Sequence, residues 1–427
     1  MCAVLHKRAQ VWCFQHFLLI TRRSLPQVFS FNGETVPVPA SLKPLFRGFT
    51  MGHHTLSHNC VYAPLTRCRS FGTVPSPMVA TYYSQRASKG GFMLTEAAPV
   101  DVTGHGYPCT PGLHTDAQLS AWKPVVDAVH AKGAVFFTQL WHVGRASHSE
   151  YQPDGAAPVA PSAIAITDPA WTVYGPTGSG PHPYPVPRAL ETSEIAGIVA
   201  AYANAAKRAV NEAGFDGVEV HSANGYLLNE FLCDGTNTRS DSYGGSIENR
   251  CRLTLEVMRA VIQALGGDAK KVGIRLAPFN MFLQCSDSDP MALYTHLLKE
   301  LDALGLAYVH LIMPRQFEPS SEEETKNLYA LRAHYSGTVL LAGGFDAASG
   351  AAALAAGHGH AIVYGRHYLA NPDLPKRFAL SAELNAYDRN TFYDPTAGDR
   401  GYTDYPFLGQ TKTEGVPAVD PFAAVKA

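Results

Sequence analysis

The sequence predicts one closed (β/α)8 barrel of the TIM type. From residue 60 onward, short apolar runs alternate with amphipathic helix-like runs, and this alternation indicates a parallel sheet. Eight such units follow one another in a chain of 427 residues, which suits one large barrel. The glycine-rich turn G-x-G-x-x-G of the open, doubly wound dinucleotide fold does not occur in the sequence. We therefore expect a single barrel domain over residues 34–410.

The predicted strands are short runs rich in apolar and β-branched residues. They cover Cys60–Arg67, Phe92–Val100, Ala134–Leu140, Gly217–His221, Val272–Pro278, Tyr308–Pro314, Val339–Gly344 and Ala361–Arg366. The helix-like stretches between them carry apolar residues at helical spacing. They include Asp116–Ala131, Ser193–Ala213, Ser246–Leu265, Met291–Leu304, Glu322–His334 and Ala347–Ala355.

Three segments lie outside these repeating units. Residues 34–52 precede the first strand and predict a hairpin that plugs the barrel. Residues 144–188 follow the third strand and are rich in Pro, Gly and Ser, and a connection of this length is usually functional. We expect them to form a lid over the barrel mouth. The alternation is lost from residue 383, and residues 411–427 are expected to form an irregular tail.

Residues 1–33 form a basic N-terminal extension. They contain no Asp or Glu, and Lys and Arg residues flank the apolar run Val11–Ile20. This composition is typical of an organellar transit peptide, and an ordinary irregular N-terminus is an equal alternative. The apolar run is about half of the ~20 residues that a membrane-spanning helix needs. We expect a cytoplasmic or organellar protein, in plastid or mitochondrion, without stable membrane insertion.

The composition excludes several classes of partner. A net charge of -2 and a charged content of 16% create no global field that favours nucleic acid or acidic membranes. We expect a small-molecule partner and a monomer or homodimer. The eight cysteines contain no C-x-x-C pair and are too sparse for a disulfide framework. His358 and His360 have the spacing of metal ligands, but they precede the eighth strand and so belong to the stability face, and we expect no metal site.

Polar residues follow the fourth strand at the face where such barrels carry their catalytic groups. These residues are His221, Asn224 and Tyr226. Two donors three positions apart can hold one oxygen atom that gains negative charge, and a phenol two positions further can supply a proton. The simpler alternative is a loop that collects polar residues by default. The spacing predicts a site that binds a carbonyl group.

Further polar residues end the first, second, third and fifth strands at the same face. They include Thr66, Glu96, Gln139 and Arg275. Arg275 lies inside an apolar strand, where burial of a cation is costly unless it meets an anion or an electron-rich ring. A structural ion pair is the alternative explanation for Arg275. We expect these strand ends to converge on one cavity.

The ends of the last two strands predict a phosphate site. The seventh strand ends in Gly343 and Gly344, the eighth ends in Gly365 and Arg366, and a helix-like stretch follows each. In barrels of this type these two loops commonly bind phosphate through backbone N–H groups and a helix dipole. Glycines allow a close approach of the backbone, and Arg366 adds a bidentate positive charge.

Several long motifs resemble the Old Yellow Enzyme family, and the plant oxophytodienoate reductase branch is the most similar. The motifs are Ala63-Pro-Leu-Thr-Arg67, Tyr82-Tyr-Ser-Gln-Arg86, Gln139-Leu-Trp-His-Val-Gly-Arg145, His221-Ser-Ala-Asn224-Gly-Tyr226, Arg239-Ser-Asp-Ser-Tyr-Gly-Gly-Ser-Ile-Glu-Asn-Arg250, Tyr364-Gly-Arg366 and Gly401-Tyr-Thr-Asp-Tyr-Pro406. The resemblance extends from about residue 35 to 410. It implies FMN as cofactor, NADPH or NADH as electron donor, and reduction of carbon–carbon double bonds activated by a carbonyl or nitro group.

The resemblance also implies roles for individual residues. Pro64, Leu65 and Thr66 match the segment along the flavin, and Ala97, Gln139 and Arg275 match positions that contact its ring system. Gly343, Gly344, Gly365 and Arg366 match the phosphate cradle. His221 and Asn224 match the pair that holds the substrate oxygen, and Tyr226 matches the proton donor. Tyr107, Trp141, Phe282 and Tyr393 match the walls of the substrate pocket.

The implied reaction has two half-reactions in one cavity. A nicotinamide cofactor reduces the flavin and leaves, and the alkene then takes its place and is reduced. Two other functions stay open: an FMN-dependent oxidase of α-hydroxy acids, and a catalytically silent flavin-binding redox sensor or storage protein. The oxidase would need a histidine base beside arginines, and a silent protein would not need a proton donor.

Overall fold

A computed structural model describes residues 28–314 and 322–411. Its centre is a closed barrel of eight parallel strands, so the predicted fold class is confirmed. The strands are β1 (Cys60–Tyr62), β2 (Phe92–Pro99), β3 (Val135–Trp141), β4 (Gly217–Ser222), β5 (Val272–Leu276), β6 (Tyr308–Ile312), β7 (Val339–Ala342) and β8 (Ala361–Tyr364). They pair in sequence order, and β8 closes the barrel on β1 through Tyr364 and Tyr62.

One helix of the outer layer follows each strand. The helices are α1 (Pro77–Arg86), α2 (Asp116–His130), α3 (Thr192–Arg208), α4 (Ile247–Ala264), α5 (Pro290–Asp302), α6 (Glu322–Leu331), α7 (Ala347–Ala355) and α8 (Leu374–Leu380). Short helices, Leu227–Leu232 and Arg366–Ala370, begin just after β4 and β8. The first strand ends at Tyr62 instead of the predicted Arg67, because Pro64 has no N–H group with which to continue the ladder.

The strands alternate between the helices and the barrel interior. In β4, Val218 and Val220 pack in the cluster beneath the helices, while Gly217, Glu219 and His221 face inward. A Cβ atom at Gly217 would overlap the ring of Phe137, and one at Gly273 would overlap the ring of Tyr308. These two glycines therefore make room for the large side chains that fill the lower part of the barrel.

Hairpins close the amino-terminal end of the barrel. Strands Phe49–Met51 and His54–Leu56 pair antiparallel, and Met51 and Leu56 pack against the interior residues of the barrel. A second hairpin, Val28–Phe31 with Glu34–Pro37, precedes a 3-10 helix over Ala40–Phe46. The predicted plug at residues 34–52 thus starts six positions earlier, at Val28. Residues 1–27 of the predicted extension lie outside the described residues.

The predicted lid, residues 144–188, is held by one internal strand pair and by one residue of the loop after β5. The strand pair is parallel and joins Val159–Ala160 to Arg188–Ala189. Its middle is held by Gln284, whose Oε1 accepts from the backbone N–H groups of Thr167 (2.7 Å) and Asp168 (3.1 Å). The lid therefore has a defined position above the loop that follows β5.

Three buried arginines connect the start of the barrel to residues 392–402. Arg67 donates from Nη2 to the Gly401 carbonyl (2.8 Å), and Arg86 donates from Nη2 to the Tyr402 carbonyl (2.9 Å). Arg69 donates to the Arg400 carbonyl (3.2 Å). Backbone carbonyls of the later segment thus solvate guanidinium groups that are buried behind β1.

A pair of glycine substitutions tests the packing of the barrel interior. We expect Gly273→Ala to lower the free energy of unfolding by about 1–3 kcal/mol, because the added methyl group meets the Tyr308 ring. Gly197→Ala in α3 is the matched control, because its Cβ would meet nothing within 4 Å and it should raise stability by about 0.5–1 kcal/mol. Urea unfolding measures both. Equal stability of the two variants would contradict this account of the interior.

Candidate active site

The residues at the end of β4 form the centre of the candidate site. His221 pairs in register with Arg275 of β5, so the two side chains lie next to each other at the carboxyl end of the barrel. The chain then turns sharply through Asn224 (φ 59°) and Gly225 (φ 71°). A side chain at position 225 would overlap the Phe282 carbonyl, so the turn requires glycine there. The turn brings Asn224 and Tyr226 back over the cavity beside His221.

His221 is a neutral, buried hydrogen-bonding group. Its side chain is buried, with 3% of the residue exposed, and Nδ1 has no hydrogen-bond partner among the described residues. Burial holds its pKa well below the ordinary value, and the positive charge of Arg275 lowers it further. A neutral imidazole offers one N–H donor and one acceptor. Because the interior leaves a polar nitrogen unsatisfied, the site suits a ligand with a polar atom at this point.

The amide of Asn224 is oriented by a neighbour that the sequence analysis did not identify. Asn280 donates from Nδ2 to Asn224 Oδ1 at 3.5 Å, and its own Oδ1 accepts from the Phe282 backbone N–H at 3.0 Å. The oxygen of Asn224 is thus engaged, and its NH2 group is the part of the amide that remains for a ligand. His221 and Asn224 can together supply two donors to one oxygen atom.

Tyr226 lies among aromatic rings under the lid. Its hydroxyl is 3.0 Å from the hydroxyl of Tyr107, and its ring meets the Trp141 ring edge to face at 4.9 Å. Burial raises the pKa of the Tyr226 phenol above its ordinary value, so the group keeps its proton. The Tyr107 hydroxyl is a neighbour from which that proton can be replaced.

Three of the residues predicted for the pocket, Tyr107, Trp141 and Phe282, pack with residues of the lid in one cluster, which does not include Tyr393. Trp141 and Tyr226 pack with Ile166, Val173 and Tyr184 of the lid. Phe282 meets the lid residue Trp171 with ring centroids 4.4 Å apart. Tyr393 is 60% exposed and lies at the rim. The lid therefore forms a wall of the cavity, a part of the site that the sequence analysis predicted without naming its residues.

The residues matched to the flavin ring form the floor of the cavity. Ala97 pairs with Gln139 in register after an irregularity in β2, and both are buried. Pro64, Leu65 and Thr66 follow β1, and the Leu65 side chain lies next to Gly365, the residue that follows β8. Gln139 donates from Nε2 to Glu219 Oε1 at 2.6 Å. Arg275 faces this floor from the fifth strand.

The ends of β7 and β8 have the geometry that a phosphate site requires. Gly343 (φ 125°) and Gly344 (φ 81°) adopt conformations that other residues rarely adopt, and α7 begins just after them. A Cβ at Gly344 would meet nothing within 4 Å, so the backbone is open there. Arg366 is exposed, and its guanidinium lies 5.8 Å from the ring of Tyr387. The donors and the charge suit a phosphate group.

Glu219 and His310 are further polar residues that the sequence analysis missed. Both are fully buried in the barrel interior, in β4 and β6. The sequence contained a signal for them, because Glu219 and His310 are polar residues inside apolar strands, the same pattern that identified Arg275. The lid residues Trp171 and Tyr184 carried only a weak signal, since aromatic residues occur in many Pro- and Gly-rich loops.

Residues 28–314 and 322–411 contain no helix that is long and apolar enough to cross a membrane. In the same ranges, no group of three or more His, Cys, Asp or Glu side chains is arranged to hold a metal ion.

Comparison with known proteins gives a consistent family match. Residues 44–385 match the model of the NADH:flavin oxidoreductase / NADH oxidase family. The 12-oxophytodienoate reductase 1 of Oryza sativa subsp. japonica is 48% identical over 379 residues, 88% of this chain and 96% of that protein. The 12-oxophytodienoate reductase 7 of the same plant is 47% identical over 386 residues, 87% of this chain and 96% of that protein.

Solved structures agree in fold. Morphinone reductase superposes with a TM-score of 0.80 at 46% identity, covering 85% of this chain and 96% of that protein. Its complex with tetrahydroNAD superposes with a TM-score of 0.79. The old yellow enzyme homologue from Zymomonas mobilis superposes with a TM-score of 0.78 at 37% identity, covering 85% of this chain and 99% of that protein.

The protonation state of His221 can be measured directly. Because its pKa lies below the ordinary value of about 6.5, the imidazole should stay neutral in the folded protein as the pH falls from about 8 to about 5.5. NMR of labelled imidazole nitrogens, assigned with a His221→Gln variant, gives the protonation curve. A protonation midpoint near 6.5 would contradict the neutral, desolvated environment.

Proposed function

Because this chain belongs to the NADH:flavin oxidoreductase / NADH oxidase family and is an FMN-dependent oxidoreductase of the Old Yellow Enzyme type, we propose that it reduces carbon–carbon double bonds conjugated to a carbonyl or nitro group with NADPH or NADH. The observation that carries this proposal is the arrangement of His221, Asn224 and Tyr226. The rings of His221 and Tyr226 lie 5.3 Å apart just after β4, and the protonated Tyr226 phenol packs among aromatic side chains of the lid. Binding of FMN alone would not require a proton donor.

The residues present fit FMN. Gly343, Gly344, Gly365 and Arg366 would hold its phosphate through backbone donors and a cation. Pro64, Leu65, Thr66, Ala97, Gln139 and Arg275 would hold its ring system. When bound, FMN supplies hydride transfer from the nicotinamide donor and to the alkene. Arg275 places positive charge where an anion develops on reduction.

The chain's own groups act on the substrate. His221 and Asn224 donate hydrogen bonds to the carbonyl or nitro oxygen, which draws electron density from the β carbon of the alkene. Tyr226 donates its proton to the α carbon, because its raised pKa keeps it protonated and Tyr107 lies within hydrogen-bond distance to replace the proton. Trp141 and the lid residues exclude water and orient the substrate.

We propose that donor and alkene use the cavity in turn. Tyr107, Trp141 and Phe282 pack with lid residues in one cluster around Tyr226, and a single binding place there supports a ping-pong order. The relatives are named for 12-oxophytodienoate and morphinone, both oxo compounds, so we place carbonyl-conjugated alkenes first among substrates.

One experiment tests the function as a whole. The purified protein should be yellow, and under anaerobic conditions it should oxidise NADPH and reduce cyclohexenone with matching stoichiometry. Oxygen consumption driven by an α-hydroxy acid would favour the oxidase alternative. Bound FMN that no nicotinamide reduces would favour the silent sensor or storage protein.

Tyr226→Phe tests the assignment of the proton donor. The ring stays and the proton is lost, so the enone step should slow by about 100–10,000-fold while flavin reduction by NADPH barely changes. Stopped-flow absorbance separates the two steps, and Tyr174→Phe, an exposed phenol of the lid, is the control. Equal slowing of both steps would mean that Tyr226 only shapes the pocket. An unaffected enone step would mean that the proton comes from another group.

Arg366→Ala tests the phosphate site. The protein should keep its circular dichroism spectrum and lose most of its bound FMN, because the phosphate loses its cationic partner while the barrel interior is unchanged. Arg400→Ala, another exposed arginine, should retain its FMN. Full FMN occupancy in the Arg366 variant would remove this residue from the site.

A further inference from the structure

A buried hydrogen-bonded chain runs beneath the floor of the cavity. Gln139 Nε2 donates to Glu219 Oε1 at 2.6 Å, and Glu219 Oε2 lies 2.8 Å from His310 Nδ1. Gln139 is 1% exposed, and Glu219 and His310 are fully buried. Gln139 pairs in register with Glu219, and His310 pairs in register with Arg275. The chain therefore links β3, β4 and β6 inside the barrel, and Arg275 of β5 lies between Glu219 and His310 in the strand order.

The charges of Glu219 and His310 in this hydrogen-bonded chain follow from their surroundings. Burial alone would raise the pKa of Glu219, but His310, Arg275 and the hydrogen bonds outweigh it and hold that pKa below its ordinary value. Burial lowers the pKa of His310 more than Glu219 raises it. Glu219 is thus an anion that accepts a hydrogen bond from His310 Nδ1. The negative charge of Glu219 balances the positive charge of Arg275.

The ionised carboxylate of Glu219 determines how the side-chain amide of Gln139 is oriented. A carboxylate oxygen only accepts hydrogen bonds, so the NH2 group of Gln139 must point down toward Glu219. The amide oxygen of Gln139 and its second N–H hydrogen remain for a ligand above. An amide without such a neighbour could present either end, because its oxygen and nitrogen are similar in size.

We propose that Glu219, held by His310, is a positioning residue that sets the direction of the Gln139 amide toward the flavin ring and balances the charge of Arg275 beneath it. The proposal rests on the proposed function, in which Gln139 and Arg275 contact the flavin. Glu219 itself acts through these two residues. It would influence how tightly oxidised and reduced FMN bind, without touching the substrate.

Glu219→Gln is the direct test. We expect oxidised FMN to bind about tenfold more weakly, because the substituted amide no longer dictates which end of Gln139 faces the ring. The reduced, anionic flavin should lose less affinity, because the anion beneath Arg275 is gone. The reduction potential should therefore rise by about 30 mV for each tenfold difference between the two affinities. Apoprotein titration with FMN and a dye-equilibrated reductive titration measure these quantities.

A matched control separates positioning from general loss of a buried carboxyl group. Glu230 is also fully buried, and its Oε1 accepts from the Arg145 backbone N–H at 2.9 Å, away from Gln139. Glu230→Gln should leave the reduction potential within a few millivolts of the wild type. If both variants shift the potential equally, or neither does, the positioning role is overturned.

A double-mutant cycle tests whether Glu219 acts through the amide. Gln139→Ala should weaken FMN binding, and adding Glu219→Gln to that variant should cost much less affinity than it does in the wild type. Additive losses would overturn the proposal, because they would mean that Glu219 affects the flavin independently of Gln139.

A measurement on the unmodified chain covers the case in which Glu219 variants do not fold. Oxidised FMN has one ring N–H group, at N3, and an amide oxygen directed at the ring can accept only from that group. FMN methylated at N3 should bind the wild-type apoprotein at least about tenfold more weakly than FMN. Equal affinities would overturn the assigned direction of the amide.

Different results would reject the proposed function and the positioning role of Glu219. A wild-type protein that binds no FMN, or whose FMN no nicotinamide reduces, would reject the proposed function. A wild-type protein that reduces cyclohexenone normally, combined with an unchanged potential and FMN affinity in Glu219→Gln, would reject only the positioning role.

Discussion

The active site depends on the two-residue period of the fourth strand. Because successive side chains of β4 point to opposite sides, Gly217, Glu219 and His221 all face the barrel interior, at increasing height. The first makes room for Phe137, the second orients Gln139, and the third reaches the cavity. A slip of one residue would expose Val218 and Val220 to the interior and bury the charged groups against the helices. The packing of the apolar residues and the position of the polar site residues thus require the same register of β4.

The barrel interior is divided into a polar and an apolar half. Strands β3 to β6 contribute Gln139, Glu219, Arg275 and His310. Strands β7 and β8 and the residue after β1 contribute small apolar side chains, including Ala342, Val363 and Ala63. A planar ligand with one polar edge would gain hydrogen bonds over such a floor only with that edge toward β3 to β6.

The outline of the barrel could be predicted because each unit buries one apolar strand under one amphipathic helix, a pattern local to the sequence. Parallel strands deliver their carboxyl ends to one face, and there His221 pairs in register with Arg275 and Ala97 with Gln139, whereas Glu96 accepts from the Arg67 backbone N–H. Strand bounds were less accurate, as the early end of β1 at Tyr62 shows. There the cause is a missing N–H group at Pro64, a local signal that the apolar run obscured.

Other parts could not be predicted because they depend on contacts between distant residues. Asn280 acts on Asn224 across 56 positions, and His310 acts on Glu219 across 91 positions. No spacing rule connects such pairs. The lid is similar, since Gln284 holds the backbone of Thr167 across 117 positions. Only the folded barrel shows which polar residues satisfy one another, and those partners decide the protonation state and direction of the catalytic groups.

The buried arginines behind β1 have a consequence for how the chain folds during synthesis. Arg67 is solvated by the Gly401 carbonyl, 334 positions later in the chain. Until the ribosome has released that later segment, the guanidinium groups of Arg67, Arg69 and Arg86 have none of these acceptors and must stay hydrated. The first strand and α1 therefore cannot settle in their final places while translation continues. In a nascent chain, the amino-terminal part of the barrel would stay incompletely folded and accessible to chaperones until almost the whole polypeptide has emerged.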